Sequence, residues 1–313
     1  MKKGIAILLS ITLLCMLGSC SSAKPETEMA SSSLKKIETV HRAQWWLGAI
    51  GWDVAERTEN LTGKGVTIAL IDTGVDARHP DFANANIEEY HVVEAVQDDH
   101  GEHGTVVAGI ICATPHNAEG VLGIAADVKL LSIDISNAET AKPEDLAKGI
   151  EYAVSQDVDI INISAGIIEN NEEVAKAIDR AYEKGIVVVA ASGNDYGGST
   201  LYPARYENVL SVNALDSNGQ KLFGDDSGKS IYVPGGNIVT TYSSATDSKK
   251  YASYTGTSVA APIVSGTVAL ALQANPNLTN RDIYGYFHGN SAQFNVKTVL
   301  NDLNNIQQGG AKE

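Results

Sequence analysis

The sequence predicts an α/β fold: a doubly wound parallel sheet flanked by helices, within a single domain. Three observations predict it. Short apolar runs recur along the chain, stretches with helical spacing separate them, and no break in composition divides residues 44 to about 303. Regular strand and helix alternation is the pattern of parallel βαβ units. Runs that are apolar almost throughout fit strands covered on both faces.

Taken in order, residues 66–71 (VTIALI), 129–133 (KLLSI), 159–163 (DIINI), 186–190 (IVVVA) and 209–212 (VLSV) read as strands. Residues 105–113, 143–156 and 171–184 read as helices, and a long apolar helix opens at Ser258 and runs to about Gln273. Pro143 suits a first helical turn, and Gly185 follows the third pattern as a C-cap does. Ligands of such sheets sit at the carboxyl ends of the strands, so polar residues just after the apolar runs are where chemistry is sought first.

The 313 residues are 43% hydrophobic and 19% charged, a globular composition that excludes a disordered chain and a membrane bundle. Lys and Arg number 23 against 38 Asp and Glu, a formal charge of −15. A polyanion is repelled by that field, and no basic patch opposes it, so nucleic acid is excluded as a partner. Three Cys in a chain of this length make no disulfide framework, and Cys112 reads as a small buried hydrophobe.

Residues 1–19 read as a secretion signal: Lys2 and Lys3 precede an apolar run from Ile5 to Leu17 that is too short to span a bilayer. Leu17-Gly18-Ser19-Cys20 resembles the lipobox of bacterial lipoproteins, which implies that Cys20 carries lipid after cleavage. The alternative is an ordinary signal peptide cut near Ser19 or later. Residues 20–43 then form the lipidated Cys and a Ser-, Glu- and Lys-rich tether, and 44–313 the folded domain. A coil of that length reaches roughly 27 Å, which holds the domain just above the membrane.

Three polar residues stand at the edges of βα units. Asp72 follows the first strand and opens DTGVD, His103 opens HGTVVAG, and Ser258 lies in GTSVAAP at the start of the long helix. Alone, Asp72 and Ser258 are ordinary turn or cap residues and His103 an ordinary surface or core group. Together they supply what acyl transfer needs. A hydroxyl is a weak nucleophile without a neighbouring base, and the base needs a carboxylate to hold its tautomer.

With SGND added, these segments (DTGVDARHPDF, HGTVVAG, SGND, GTSVAAP) resemble the four motifs of the subtilisin family of serine peptidases, over roughly residues 44 to 303. The resemblance implies a serine endopeptidase with Asp72, His103 and Ser258 as its triad and Asn194 in the oxyanion hole. It implies further that Ser164, Ala165, Gly166, Ser192 and Gly193 bind extended substrate, with Ala165 beside an open apolar P1 pocket. A polypeptide is the expected partner, a monomer the expected state, and no cofactor takes part in the chemistry. A structural calcium is implied by the match of Asp81 and Asn117 to ligand positions. Two side chains fall short of the six to eight oxygens calcium takes, and an ordinary loop is the alternative.

Three departures from the family pattern stand out. Val106 replaces a second His, Val259 replaces Met beside Ser258, and the 24 residues from Ser21 to Gln44 are too few for a folded propeptide. The expectation that follows is an exported peptidase, held by lipid at the extracytoplasmic face of a bacterial membrane, that folds unaided. Because an uninhibited broad protease would endanger its own cell, it is expected to be restricted in specificity, like the peptidases that trim leader peptides. Broad extracellular degradation is the alternative. Two rivals come from other classes. Asp98, Asp99, His100, Glu102 and His103 crowd together as zinc ligands do, but with no HExxH spacing, and a metallohydrolase leaves GTSVAAP without a purpose. A tethered binding module has no physical need of four catalytic groups.

Overall fold

The computed structural model describes residues 43–52, 61–93, 101–114, 120–135, 142–195, 197–244, 246–289 and 293–306. The secretion signal, Cys20, the tether up to residue 42, Asp98 to His100 and Asn117 lie outside them.

Seven parallel strands form the central sheet: β1 (Thr67–Asp72), β2 (Asn86–His91), β3 (Lys129–Asp134), β4 (Ile160–Ile163), β5 (Val187–Ala191), β6 (Leu210–Leu215) and β7 (Ile231–Pro234). Their order is β2-β3-β1-β4-β5-β6-β7. The chain leaves β3 on one side of β1 and re-enters as β4 on the other, so the winding reverses at β1. Such a switch point opens a crevice beyond the carboxyl ends of the strands. Asp72 is the last residue of β1 and stands at that crevice.

Helices cover both faces. On one lie α1 (Trp45–Ala49), α2 (Glu102–Cys112), α5 (Thr257–Ala274), α6 (Asn280–Gly289) and α7 (Val296–Ile306), packed in one apolar cluster with the sheet. On the other lie α3 (Pro143–Ser155) and α4 (Glu172–Glu183), which bury Leu146, Ile150, Val174 and Ile178 against Ile71, Ile133 and Ile161. Each such side chain taken from water contributes about 1.5–3 kcal/mol. A two-stranded antiparallel hairpin, β8 (Ile238–Thr241) and β9 (Tyr251–Tyr254), flanks α2. Its Thr240 and Thr241 hydroxyls donate to the carbonyls of Val106 and Thr105 at 2.9 and 2.7 Å.

The architecture is the α/β sheet the sequence predicts, in a single domain, and the five predicted strands and four predicted helices all form, shifted by up to three residues. Helix α2 starts at Glu102, three residues before its apolar pattern becomes visible. Strand β2 (NIEEYH) escapes the sequence reading because it is a polar edge strand, mostly exposed. β7 and the hairpin are only four residues per strand and partly exposed. Among the described residues one helix, α5, is long and apolar enough to cross a membrane, and 78% of it is buried as the core helix of the sheet.

Candidate active site

His103 sits in the first turn of α2, placed by the glycines around it. Gly101 takes a left-handed φ of 64°, and a Cβ there would lie 2.4 Å from the Gly74 carbonyl. A Cβ on Gly104 would come within 1.9 Å of the same oxygen. Only bare glycines let the helix start press onto the loop after β1. Thr73 Oγ1 then receives the Gly104 N–H at 3.1 Å, tying the two segments together.

The result brings three distant residues into one line. His103 Nδ1 lies 2.8 Å from Asp72 Oδ1, and its Nε2 lies 3.1 Å from Ser258 Oγ. A carboxylate only accepts, so Nδ1 carries the proton and donates. Nε2 is left as the acceptor for the Ser258 hydroxyl. The Asp72 side chain is 2% exposed and also receives the Thr73 N–H at 2.8 Å, which fixes the carboxylate before any substrate arrives. The charge on Asp72 raises the His103 pKa above 6.5, against the downward push of burial, with Glu102 adding to the rise.

Ser258 lies one residue inside α5, whose first residue is Thr257. Pro262, four residues on, has no N–H to give the Ser258 carbonyl, so that carbonyl would lack its helical partner. Ser164 supplies one instead: its hydroxyl donates to Ser258 O at 3.0 Å. Ser164 in turn receives Asn162 Nδ2 at 3.0 Å, and Asn162 Oδ1 receives the Ser265 hydroxyl at 2.8 Å. This chain pins the nucleophile's turn to the end of β4.

Asn194 follows β5 in the segment Ser192-Gly193-Asn194. Its Oδ1 accepts both the Thr257 N–H (2.9 Å) and the Thr257 hydroxyl (3.0 Å). With the oxygen held, Nδ2 projects toward the crevice. A Cβ on Gly256 would meet that Nδ2 at 3.1 Å and Ser258 Oγ at 3.4 Å, so Nδ2 and the hydroxyl flank the same space.

The segments read as substrate-binding lie on either side of Ser258. Residues 164–166 extend β4 and residues 192–194 extend β5. Leu201 packs against both: a Cβ on Gly166 would meet its Cδ1 at 2.9 Å, and one on Gly193 would meet its Cγ at 2.7 Å. The Leu201 N–H donates to Ser192 O at 2.8 Å, while Tyr202 exchanges backbone hydrogen bonds with Ile167 at 2.8 and 2.9 Å.

Asp81, the described member of the expected calcium pair, is fully buried, with Oδ2 taking the Val121 N–H at 2.8 Å and Oδ1 the Tyr251 hydroxyl at 3.2 Å. Both oxygens of the Asp81 carboxylate thus accept hydrogen bonds, and the other expected ligand, Asn117, lies outside the described residues. Of the residues crowded at the start of α2, Glu102 accepts the Tyr254 hydroxyl at 2.9 Å and His103 faces Asp72 and Ser258. Sequence reasoning missed Thr257, Asn162, Ser265 and Leu201. Thr257 stands inside GTSVAAP, and Pro262 there signals a freed carbonyl; Leu201 leaves no pattern at all.

A parallel sheet with a hydroxyl, an imidazole and a carboxylate aligned at its switch point defines an enzyme of the serine hydrolase type. Residues 63–306 match the subtilase family, and the chain belongs to it. It is 37% identical over 232 residues to Subtilisin Savinase of Lederbergia lenta, covering 73% of this chain and 84% of that protein. Its alkaline protease relatives are longer, and the chain spans 60% of their length. Among solved structures, the prenylagaramide maturation protease PagA superposes with a TM-score of 0.67 at 26% identity, covering 79% of this chain and 98% of that one. The nisin leader peptidase NisP of Lactococcus lactis shares the fold, with a TM-score of 0.72 at 22% identity over 83% of this chain and 94% of its own. The protein is a subtilisin-like serine endopeptidase.

Proposed function

We propose that Ser258 is the nucleophile, His103 its general base, Asp72 the group that orients His103, and Asn194 Nδ2 with the Ser258 N–H the oxyanion donors. The bridging of Asp72 and Ser258 by His103, at 2.8 and 3.1 Å, carries this reading. Ser258 Oγ attacks the scissile carbonyl as its proton passes to Nε2. The imidazolium that forms is stabilised by Asp72, and the carbonyl oxygen gains negative charge facing Asn194. His103 then protonates the leaving amine, the C–N bond breaks, and water releases the acyl group from Ser258 by the same roles in reverse.

A fluorophosphonate tests it. The wild type is expected to be labelled on Ser258 with chelator present, and Ser258→Ala to lose both labelling and activity, kcat falling by about 10⁶, the loss found in subtilisin. Hydrolysis that survives in Ser258→Ala and stops with chelator would establish a metalloenzyme instead.

The reading extends to a restricted processing role at the cell surface, anchored through Cys20. What supports it is the lipobox-like Leu17-Gly18-Ser19-Cys20 and the likeness to a protease of peptide maturation. Peptide-library cleavage at one narrow consensus is expected, and Cys20→Ser is expected to move the protein from the membrane to the soluble fraction. Indiscriminate cleavage would return the role to extracellular degradation. A structural calcium beside Asp81 belongs to the same proposal, its check being a lower melting temperature in chelator.

A further inference from the structure

The hairpin β8–β9 takes no part in the chemistry, yet side chains on and beside it end on the segments that carry the triad. Thr240, Thr241 and Ser243 are buried hydroxyls. Thr241 and Thr240 donate to the carbonyls of Thr105 and Val106, which follow His103 closely in α2. Ser243 donates to Asp76 Oδ2 at 2.6 Å in the loop after β1, and the Asp76 N–H donates in turn to Thr105 Oγ1 at 2.8 Å. A closed ring results, from hairpin to loop to α2 and back. At the far end of the hairpin, Tyr254 donates to Glu102 Oε1 at 2.9 Å, beside His103. The chain then runs from Tyr254 through Gly256 and Thr257 into Ser258.

Gly109, which closes HGTVVAG, makes the threonine contacts possible. A Cβ there would meet Thr241 Oγ1 at 2.0 Å and Thr240 Oγ1 at 2.5 Å. Both hydroxyls sit in the hollow that the missing side chain leaves on α2. The carbonyls they reach already serve the helix, whose N–H groups bond four residues back. What the threonines fix is therefore the place of α2 against the hairpin, not the helix itself. Helices α2 and α5 pack in one apolar cluster, and apolar contact is non-directional. Hydrogen bonds have preferred distances and angles, and so set a register.

We propose that the hairpin β8–β9 is a brace that sets the spacing between His103 and Ser258, with Thr241 its principal positioning residue and Gly109 the hollow that receives it. The proposal rests on the peptidase reading above. The hairpin is joined through the chain to the Ser258 segment, and through hydrogen bonds to α2 and to the loop after Asp72. A slip of α2 along α5 changes the 3.1 Å path from Ser258 Oγ to His103 Nε2. Misplacement by about 1 Å costs on the order of 10²-fold in rate. Thr241 is fully buried, so its loss reaches the rate through His103 and leaves peptide binding alone.

Thr241→Val keeps the shape and removes the donor, whereas Thr241→Ser keeps the donor. On the full chain, active sites are counted with a fluorophosphonate and kcat is taken per labelled Ser258, so a loss of folded protein alone leaves it unchanged. Thr241→Val is expected to lower that kcat by about tenfold, with KM within about twofold of wild type. Thr241→Ser is expected to hold kcat within about twofold of wild type. Should Thr241→Val not fold, Ser243→Ala opens the same ring at Asp76 and is expected to lower kcat per site by about threefold or more. A wild-type kcat per site in folded Thr241→Val, or in Ser243→Ala where it stands in, overturns the brace, as does a Thr241→Ser no faster than Thr241→Val. A rise in KM with kcat held would place the threonine in peptide binding and equally overturns it. Absence of both hydrolysis and Ser258 labelling in the wild type would instead overturn the peptidase reading beneath it.

Discussion

The two faces of the sheet are covered in different ways. Helices α2 and α5 are enclosed: nine of the eleven residues of α2 and fourteen of the eighteen of α5 are buried. They are rich in Gly, Ala and Val and carry one charged side chain between them, Glu102. Helices α3 and α4 bury one stripe each and turn the other to water, where Lys176 pairs with Glu172 and Glu173, Lys148 with Asp145, and Arg180 with Glu151. His103 and Ser258 both belong to the enclosed pair. A site that needs tolerances of about half an ångström must stand on elements fixed from every side. The solvated pair need only close the second face of the core.

The largest effect on that comparison comes from Asp72, the residue at the end of β1 that orients His103. Asp72→Asn is expected to lower kcat by about 10⁴, as the loss of the same group does in other serine peptidases, since the wrong tautomer of His103 then faces Ser258. The pH profile supplies a second reading. His103 acts as a base only when neutral, and its pKa is raised above 6.5, first of all by the Asp72 charge. Wild-type kcat/KM is therefore expected to fall on acidification with a midpoint above pH 6.5. Removal of the charge lowers the His103 pKa, so the acid limb of Asp72→Asn is expected at lower pH. A limb that stayed in place would mean that another group sets it.

The enclosed helices are legible in sequence through chemistry, the solvated ones through periodicity. GTSVAAP and HGTVVAG are recognisable because the reaction demands those side chains and close packing demands the small ones. Helices α3 and α4 show their buried stripe plainly. What stays hidden depends on partners remote in the chain. Thr240 and Thr241 cap carbonyls of α2 from a hairpin over 130 residues away, and neither lies in an apolar repeat. Ser164 compensates for Pro262 across 94 residues of sequence, counted to Ser258. Leu201 acquires its place only because residues 201–202 are threaded between two strand ends. Polar edge strands such as β2 offer no period to read.

A smaller effect is expected from the contact that seats α2. Gly104→Ala puts a methyl 1.9 Å from the Gly74 carbonyl oxygen and 2.9 Å from its carbon, both backbone atoms with nowhere to rotate. Either α2 or the loop after β1 must shift, at a cost of about 3 kcal/mol of stability. Because His103 and Asp72 ride on those two segments, kcat is expected to fall with the urea midpoint while KM changes less. A variant as stable as wild type with a reduced kcat would show that the seat aligns the site without holding the fold.

The smallest effect is expected on the solvated face. Lys176→Ala in α4 removes a side chain that pairs with Glu172 at 2.9 Å and with Glu173 at 3.1 Å, all three in water. The Coulomb attraction of exposed pairs is screened and offset by the entropy of ordering long side chains, while alanine is the best helix former. These contributions oppose one another, so the urea midpoint is expected to stay within error of wild type and kcat/KM within about twofold. Helix α4 contributes no site residue, and its buried stripe of Val174, Ala177, Ile178 and Ala181 is untouched by the change. A loss of activity in Lys176→Ala would break the division between the two faces. It would require motion of α4 to reach the site through β4 and β5, the strands it covers, and would make the solvated layer part of the machinery.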